Sequence, residues 1–436
     1  MAVSPARAAA FAILLRVERE SAYAVELLHS AILDGLSPVD RNLTTDIVMG
    51  VMRWRSLLDD AISAFVAVSF RKLDLEVLTA LRMGCYQLAF LTRIPDHAIV
   101  HEAVELVKQA RKRSAAGLVN AVLHKLSRNR EGLLARRDGL AQAYAHPQWL
   151  IERWTKQFGP ETTEQICRYD QQVPATVVRL ADDRDKDELL KNGIELEHGT
   201  LVKSGYVVVK GDITSTELFH HGKVAIQDEG SQLVAALVGH GKRILDCCAA
   251  PGSKTAALAS ASPEAEIVAA DIHPHRARLL RRLVNNTNVH VIAADATRLP
   301  LASSFDRVLA DVPCSGTGTL ARNPEIKWRL RQEDIVDLQL RQTAILDAAL
   351  KHVGKGGRLV YSTCSLETEE NERVVEAGLS KNPTFRIVAV REELLKLKSA
   401  GVLIWENVDQ LVRGDFLRTI PGVHPCDGFF AAVFEH

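Results

Sequence analysis

Cys314 and Cys364 are the residues of this chain best placed to do chemistry, because each sits in a short string of small and polar residues that follows an apolar run. The strings are Asp311-Val312-Pro313-Cys314-Ser315-Gly316-Thr317-Gly318 and Ser362-Thr363-Cys364-Ser365. A thiolate is a strong nucleophile and a thiol can carry a proton, so two thiols brought together would make a paired-thiol active site. Just before these strings, Phe305-Asp306-Arg307-Val308-Leu309-Ala310 and Gly357-Arg358-Leu359-Val360-Tyr361 predict buried strands, with a helix from about Gln332 to Lys351 between them. That is a parallel β-α-β unit, whose strand ends share the sheet edge where open α/β folds place ligands. Neighbouring strands lie about 4.8 Å apart, so both thiols would reach one small planar substrate.

A third string shares that edge. Arg243-Ile244-Leu245-Asp246-Cys247-Cys248 predicts a strand, and Ala249-Ala250-Pro251-Gly252-Ser253-Lys254-Thr255 a small-residue turn leading into a helix over Ala256 to Ser260. Small side chains let backbone amides approach a ligand closely. The ending Gly-Ser-Lys-Thr invites comparison with a nucleotide phosphate loop. That motif needs Gly and Lys adjacent and a Gly five residues earlier, whereas here Ser253 intervenes and Cys247 occupies the earlier position. The strands Glu266-Ile267-Val268-Ala269-Ala270 and Val289-His290-Val291-Ile292-Ala293-Ala294 end in Asp271 and Asp295. A carboxylate at the second strand end of a nucleotide-binding β-α-β unit accepts hydrogen bonds from ribose hydroxyls, although a single Asp there serves equally well as a helix cap. Three acids at successive strand ends, Asp246, Asp271 and Asp295, favour a nucleoside cofactor.

Cys-Ala-Ala-Pro-Gly-x-Lys-Thr from Cys248, Asp-x-Pro-Cys-Ser-Gly-x-Gly from Asp311 and Ser-Thr-Cys-Ser from Ser362, in this order, resemble the RNA 5-methylcytosine methyltransferases that use S-adenosyl-L-methionine. Asp427-Gly428-Phe429-Phe430 and Gln227-Asp228-Glu229-Gly230-Ser231 match as well, so the resemblance covers roughly 224–436. Ser253 stands where the family more often has Gly. In that chemistry a thiolate adds to carbon 6 of cytosine, carbon 5 becomes nucleophilic toward a methyl group, and loss of the carbon-5 proton lets the thiol leave. An acid must hold the ring nitrogen and exocyclic amine as charge develops, and Asp311 is available. The residues themselves do not say which thiol attacks. The resemblance implies that Cys364 is the nucleophile and that Cys314 aids release. It also implies cofactor contacts from Cys248, Ala249, Ala250, Pro251, Gly252, Ser253 and Lys254, with Asp271 on the ribose, Asp295 on the adenine side, and Asp311 between cofactor and base; Arg276 is a further cofactor candidate.

Composition bounds the rest. A chain of 436 residues predicts two or three domains. Seven cysteines with no Cys-x-x-Cys pair argue against a disulfide framework and against a metal site, and fit a reducing cytoplasm; Cys85, Cys167, Cys247 and Cys426 read as small buried hydrophobes. The apolar Ala8 to Leu15 stretch reads as an amphipathic helix, and no segment reaches transmembrane length. Formal net charge is zero, yet Lys108, Arg111, Lys112, Arg113, Lys125, Arg128, Arg130, Arg136 and Arg137 face only Glu131 across one stretch, a basic patch suited to phosphates. Arg278, Arg281 and Arg282 with Arg276, and Arg322, Lys327, Arg329 and Arg331, are expected to add positive charge near the site. Glu367, Glu369, Glu370 and Glu372 read as acids stabilising a helix N-terminus.

Along the chain, residues 1–140 carry helical periodicity, with starts at Ser21, Ser37-Pro38 and Asp96, and predict an all-α domain of about seven helices. Asp40-Arg41-Asn42-Leu43, Ile94-Pro95-Asp96-His97-Ala98 and Val119-Asn120-Ala121-Val122-Leu123 resemble the NusB-like RNA-binding domain. Residues 141–223 predict a helical connector from His146 to about Tyr169 and a small α+β subdomain, RNA-recognition-like in related enzymes. Residues 224–436 predict a Rossmann-like α/β catalytic domain. Together these features resemble the RsmB/Sun group of ribosomal RNA (cytosine-5) methyltransferases, which implies a ribosomal RNA partner, no membrane, no metal and a monomeric chain. Two alternatives stay open: a non-catalytic RNA-binding assembly factor, and a DNA cytosine methyltransferase, against which Pro-Cys-Ser and a second cysteine both speak.

Overall fold

The computed structural model describes residues 3–66, 69–133, 138–284, 286–302 and 304–436. They form two units, one of residues 1–173 with 320–329 and the other of 174–319 with 330–436.

The first unit is helical throughout its described residues, which is why no strand periodicity is found in this part of the sequence. Its long helices, Pro5–Glu20, Pro38–Arg53, Leu75–Phe90, Asp96–Gln109 and Ala116–Arg128, bury apolar residues at helical spacing, among them Ile13, Leu14, Val17, Ile47, Val48 and Val51. Ser37 caps the second of these by accepting from the Asp40 amide, as its type predicts. The expected start at Ser21 is corrected: Ser21 ends the first helix in the left-handed conformation (φ 54°), and the next helix begins at Ala24. Lys108, Arg111, Arg113, Lys125 and Arg128 of the basic patch are exposed, while Arg136 and Arg137 lie outside the described residues.

Ten residues that follow the Pro-Cys string belong to this unit, and this corrects a second expectation. Lys327 is fully buried and its Nζ donates to the carbonyls of Arg53 and Ala145, both at 3.0 Å. Trp328 Nε1 donates to Met52 O at 2.6 Å, Arg329 donates to the carbonyls of Val17, Ser21 and Ala22 at the end of the first helix, and Glu325 accepts from the Ala24 amide. Lys327 and Arg329 are thus committed to backbone carbonyls inside the helical unit and do not offer charge to a substrate.

The second unit opens with β1 (Val177–Leu180), β2 (Glu195–His198), β3 (Gly205–Lys210) and β4 (Val224–Ile226), an antiparallel sheet in the order β2-β3-β1-β4 with a core of Val178, Leu180, Leu189 and Tyr206. It continues with β5 (Arg243–Asp246), β6 (Glu266–Asp271), β7 (Val289–Ala293), β8 (Phe305–Asp311), β9 (Val353–Thr363), β10 (Arg386–Val388), β11 (Val412–Arg413), β12 (Phe416–Arg418) and β13 (Phe430–Glu435). Their order is β11-β12-β13-β9-β8-β5-β6-β7, with β10 beside β13. Strands β5 to β9 pair in parallel, whereas β13 runs antiparallel to β9. The parallel strands carry near-continuous Val, Ile, Leu and Ala because helices cover the sheet on both faces. From β5 the chain builds outward to β7 and then crosses back to β8, so the strand order reverses between β5 and β8; ligands bind at such a switch point. Among the described residues, no helix is long and apolar enough to cross a membrane.

Candidate active site

The two thiols meet because β8 and β9 are parallel neighbours in a register that sets Asp311 opposite Ser362. Cys314 and Cys364 follow these residues, and their sulfurs are 3.3 Å apart, both partly buried. The loops approach closely enough to exclude a side chain: a Cβ on Gly318 would lie 2.4 Å from Gly428 O and 2.8 Å from Cys364 O, and the Gly318 amide donates to Cys364 O at 2.9 Å. This is why the Pro-Cys string ends in Gly, and Gly428 is small for the same reason, since a Cβ there would lie 2.9 Å from Gly318 Cα. The neighbouring Cys364 sulfur, burial and the Glu370 carboxylate all hold the Cys314 thiol well above its ordinary value.

Asp311 stands beside the pair at the end of β8. One oxygen accepts from Ser362 Oγ at 2.7 Å and the other from Lys254 Nζ at 2.8 Å. Burial acts to lower Lys254, but the Asp311 carboxylate more than offsets it, so the ammonium is held above its usual value. Lys254 Nζ also lies 5.3 Å from the Phe429 ring centroid.

The turn after β5 is built around glycine. Gly252 has φ 119°, and a Cβ there would sit 2.5 Å from Leu280 and 2.7 Å from Val284. Ser253 is the first residue of the helix Ser253–Ala261, so its hydroxyl strains nothing. Arg276 Nη2 donates to Ala250 O at 3.2 Å and braces the turn from the helix Pro274–Leu283. Cys248 to Lys254 therefore line the sheet edge as one stretch. Asp271 is buried and Asp295 exposed; each uses Oδ1 to hold its own turn, through the amides of His273 (2.8 Å) and Thr297 (2.9 Å). Asp246 differs from both. Its Oδ2 accepts from Thr255 Oγ1 at 2.7 Å, its Oδ1 is buried without a partner, and burial pushes the carboxyl up to about 7. A buried acceptor that lacks a partner suits a cationic group brought by a ligand.

The second unit thus gathers Cys314, Cys364, Asp311, Lys254, Asp246 and Asp271 along adjacent strand ends, with Asp295 after β7. Cys247 and Cys426 are buried, as are Cys85 and Cys167 in the helical unit. A set of buried polar residues beside the thiols is not evident from the sequence motifs. Ser315, Thr317, Ser365, Glu367, Glu370 and Asn371 are all buried, so the acids after Cys364 are not merely a helix start. The signal was a serine after each cysteine. At the other end, Glu229 accepts from the amides of Leu201 and Val202 at 2.8 and 2.9 Å, and Asp228 caps Gly230, which accounts for the Gln-Asp-Glu-Gly-Ser string.

Residues 235–435 match the family described as 16S rRNA methyltransferase RsmB/F, residues 4–128 the NusB family, and residues 146–211 the ferredoxin-like domain of RsmF/B-like methyltransferases. A "Probable ribosomal RNA small subunit methyltransferase B" of Bacillus subtilis is 33% identical over 96% of this chain and 95% of its own length. Ribosomal RNA small subunit methyltransferase B of Klebsiella pneumoniae is 32% identical over 91% of this chain and 90% of its own. Among solved structures, PH0851 superposes with a TM-score of 0.82 at 26% identity over 100% of both chains. A methyltransferase homologue from Pyrococcus horikoshii has a TM-score of 0.56 at 27% identity, covering 68% of this chain and 97% of its own.

Proposed function

Because the chain belongs to the 16S rRNA methyltransferase RsmB/F family, we propose that it methylates carbon 5 of one cytosine in 16S ribosomal RNA through a covalent bond between Cys364 and carbon 6. The observation that carries this reading is the pair of thiols 3.3 Å apart at the ends of adjacent strands beside Asp311. The cofactor of the family is S-adenosylmethionine, which supplies an electrophilic methyl group when bound. The residues fit it: the Cys248 to Lys254 turn lets backbone approach a ligand, Asp271 and Asp295 keep an oxygen for hydroxyl or amino groups, and the unpartnered Asp246 oxygen suits a cation. Arg276 serves by bracing the turn.

Cys364 adds through its sulfur to carbon 6, and the electron pair of the 5,6 double bond passes into the ring. Asp311 accepts from the exocyclic amine while Lys254 offsets the charge that develops. Cys314 begins protonated, held so by its neighbour's sulfur, by burial and by Glu370. Once Cys364 is bonded to carbon, the first of these influences is gone and Cys314 can lose its proton to solvent; the resulting thiolate takes the carbon-5 proton as the carbon–sulfur bond breaks and Cys364 leaves as a thiolate. In this reading residues 1–140 grip RNA through the exposed basic patch, 141–223 add a second RNA-facing module, and 224–436 perform the chemistry in the cytoplasm.

The test is adduct trapping. Cys314→Ala should add and transfer but release slowly, giving an RNA-dependent band of reduced mobility on a denaturing gel. That band should be absent from Cys364→Ala and from the double variant. An adduct in either of those would reverse or remove the assigned roles.

A further inference from the structure

We infer that Glu370 is the positioning residue that sets the spacing of the two thiols, because its one buried carboxylate ties the residue after Cys314 to the residue after Cys364. Glu370 Oε1 accepts from the Ser315 amide at 2.8 Å, and Oε2 accepts from Ser365 Oγ at 2.5 Å. Gln342, on the helix Gln332–Leu350, donates both protons of Nε2, one to Glu370 Oε1 at 2.8 Å and one to Pro313 O at 2.9 Å. Cys314 is therefore bracketed by Pro313 and Ser315, both held by this network. Cys364 is bracketed in the same way, since Thr363 Oγ1 donates to Asn371 Oδ1 at 2.6 Å and Asn371 Nδ2 donates to Ser365 O at 2.9 Å. Ser315 Oγ and Ser365 Oγ are themselves 3.0 Å apart, and Tyr361 anchors the Glu370 backbone by donating to its carbonyl at 2.6 Å.

Each thiol lies on a loop beyond a strand end, where the sheet no longer fixes the backbone. The sheet holds the strands about 4.8 Å apart but leaves the loops free to splay. Two sulfurs must nevertheless meet adjacent atoms of one ring. A carboxylate suits this task because it accepts several hydrogen bonds and needs no donors of its own. Glu370 makes no hydrogen bond to either sulfur, so it positions the thiols through their neighbouring residues, alongside its electrostatic effect on Cys314. The low-dielectric surroundings that raise its own affinity for a proton also make these bonds strong.

This inference rests on the two-thiol reading above for its catalytic consequence but not for its geometry, and two measurements separate them. The first is kinetic. Glu370→Ala should lower kcat on the order of 10²-fold with the RNA KM and cofactor affinity near wild type, as expected when reacting groups are misplaced by about an ångström. Glu370→Gln, which keeps the shape and one acceptor, should recover most of the loss. The second is closure of the thiol pair by hydrogen peroxide, which takes two electrons from the two thiols and yields a disulfide and two waters. Peptide mass spectrometry should find that Cys314–Cys364 closure slows on the order of tenfold in Glu370→Ala, because the sulfurs must come to about 2.05 Å. Unchanged kcat and unchanged closure overturn the inference. So does a kcat loss matched by equal losses of cofactor affinity and melting temperature, which would mark a merely structural residue. If instead Cys364→Ala stayed active while closure still slowed in Glu370→Ala, the two-thiol reading would fail and the positioning would stand.

Discussion

At Asp246 a cost to folding coincides with a proposed ligand contact. Its carboxyl is raised to about 7 because burial opposes its charge, and one oxygen has no partner. Between the ordinary aspartate value and 7, the folded state holds a proton that the unfolded chain has released. Stability therefore falls as pH rises through that window, and the penalty is complete above 7. Asp246→Asn should make the cofactor-free protein more stable at pH 8 by about 1–3 kcal/mol, with little difference near pH 4. It should also weaken S-adenosylmethionine binding, since the cation loses its partner. Thermal melts at both pH values, with and without the cofactor, check this; equal shifts at the two pH values would contradict it. Cys314 shows the opposite use of burial. There the neighbouring Cys364 sulfur, together with burial, raises the proton affinity, and in the proposed mechanism this keeps the second thiol out of competition for carbon 6 until Cys364 is consumed.

At the scale of elements, the site depends on how closely the loops after β8 and β9 approach. Gly318→Ala would place a methyl group against two backbone carbonyls that cannot move independently of the thiol loops. A loss of about 1–3 kcal/mol is expected, as for other overpacked sites, with a fall in kcat. Gly117→Ala, in the helix Ala116–Arg128 with open space around it, should be neutral or stabilising and serves as the control. The parallel strands were legible because burial on both faces leaves continuous apolar runs, and a small-residue turn after β5 marked the proposed cofactor edge. The antiparallel edge of β11, β12 and β13 carried no comparable signal, since β11 and β12 are two and three residues long. Glu370 was hidden for another reason. Four acids within six residues look like a solvated helix start, and only three-dimensional packing reveals that two of them, Glu367 and Glu370, are fully buried.

At the scale of the whole chain, order in sequence does not follow membership of the folded units. Residues 320–329 come directly after the Pro-Cys loop, yet Glu325, Lys327, Trp328 and Arg329 bond to backbone groups of the helical unit. Their partners are carbonyls and an amide, which carry no side-chain signature, so from sequence alone Arg322, Lys327, Arg329 and Arg331 read as a patch of positive charge near the site. Burial instead pushes Lys327 down to about 7, far from the free ammonium that such a patch requires. Removing the first 147 residues would strip these side chains of their partners, so lost RNA binding in such a truncation would not isolate the basic patch. The helical unit, the small sheet and the Rossmann-like sheet were each foreseen from periodicity and motif, because each buries its own core. Mapping 5-methylcytosine across 16S ribosomal RNA from cells with and without this protein, and with Cys364→Ala supplied in its place, decides whether the chain methylates one cytosine through Cys364. One cytosine should lose its methyl group without the protein and stay unmethylated with the variant. An unchanged map, or full restoration by Cys364→Ala, would contradict it.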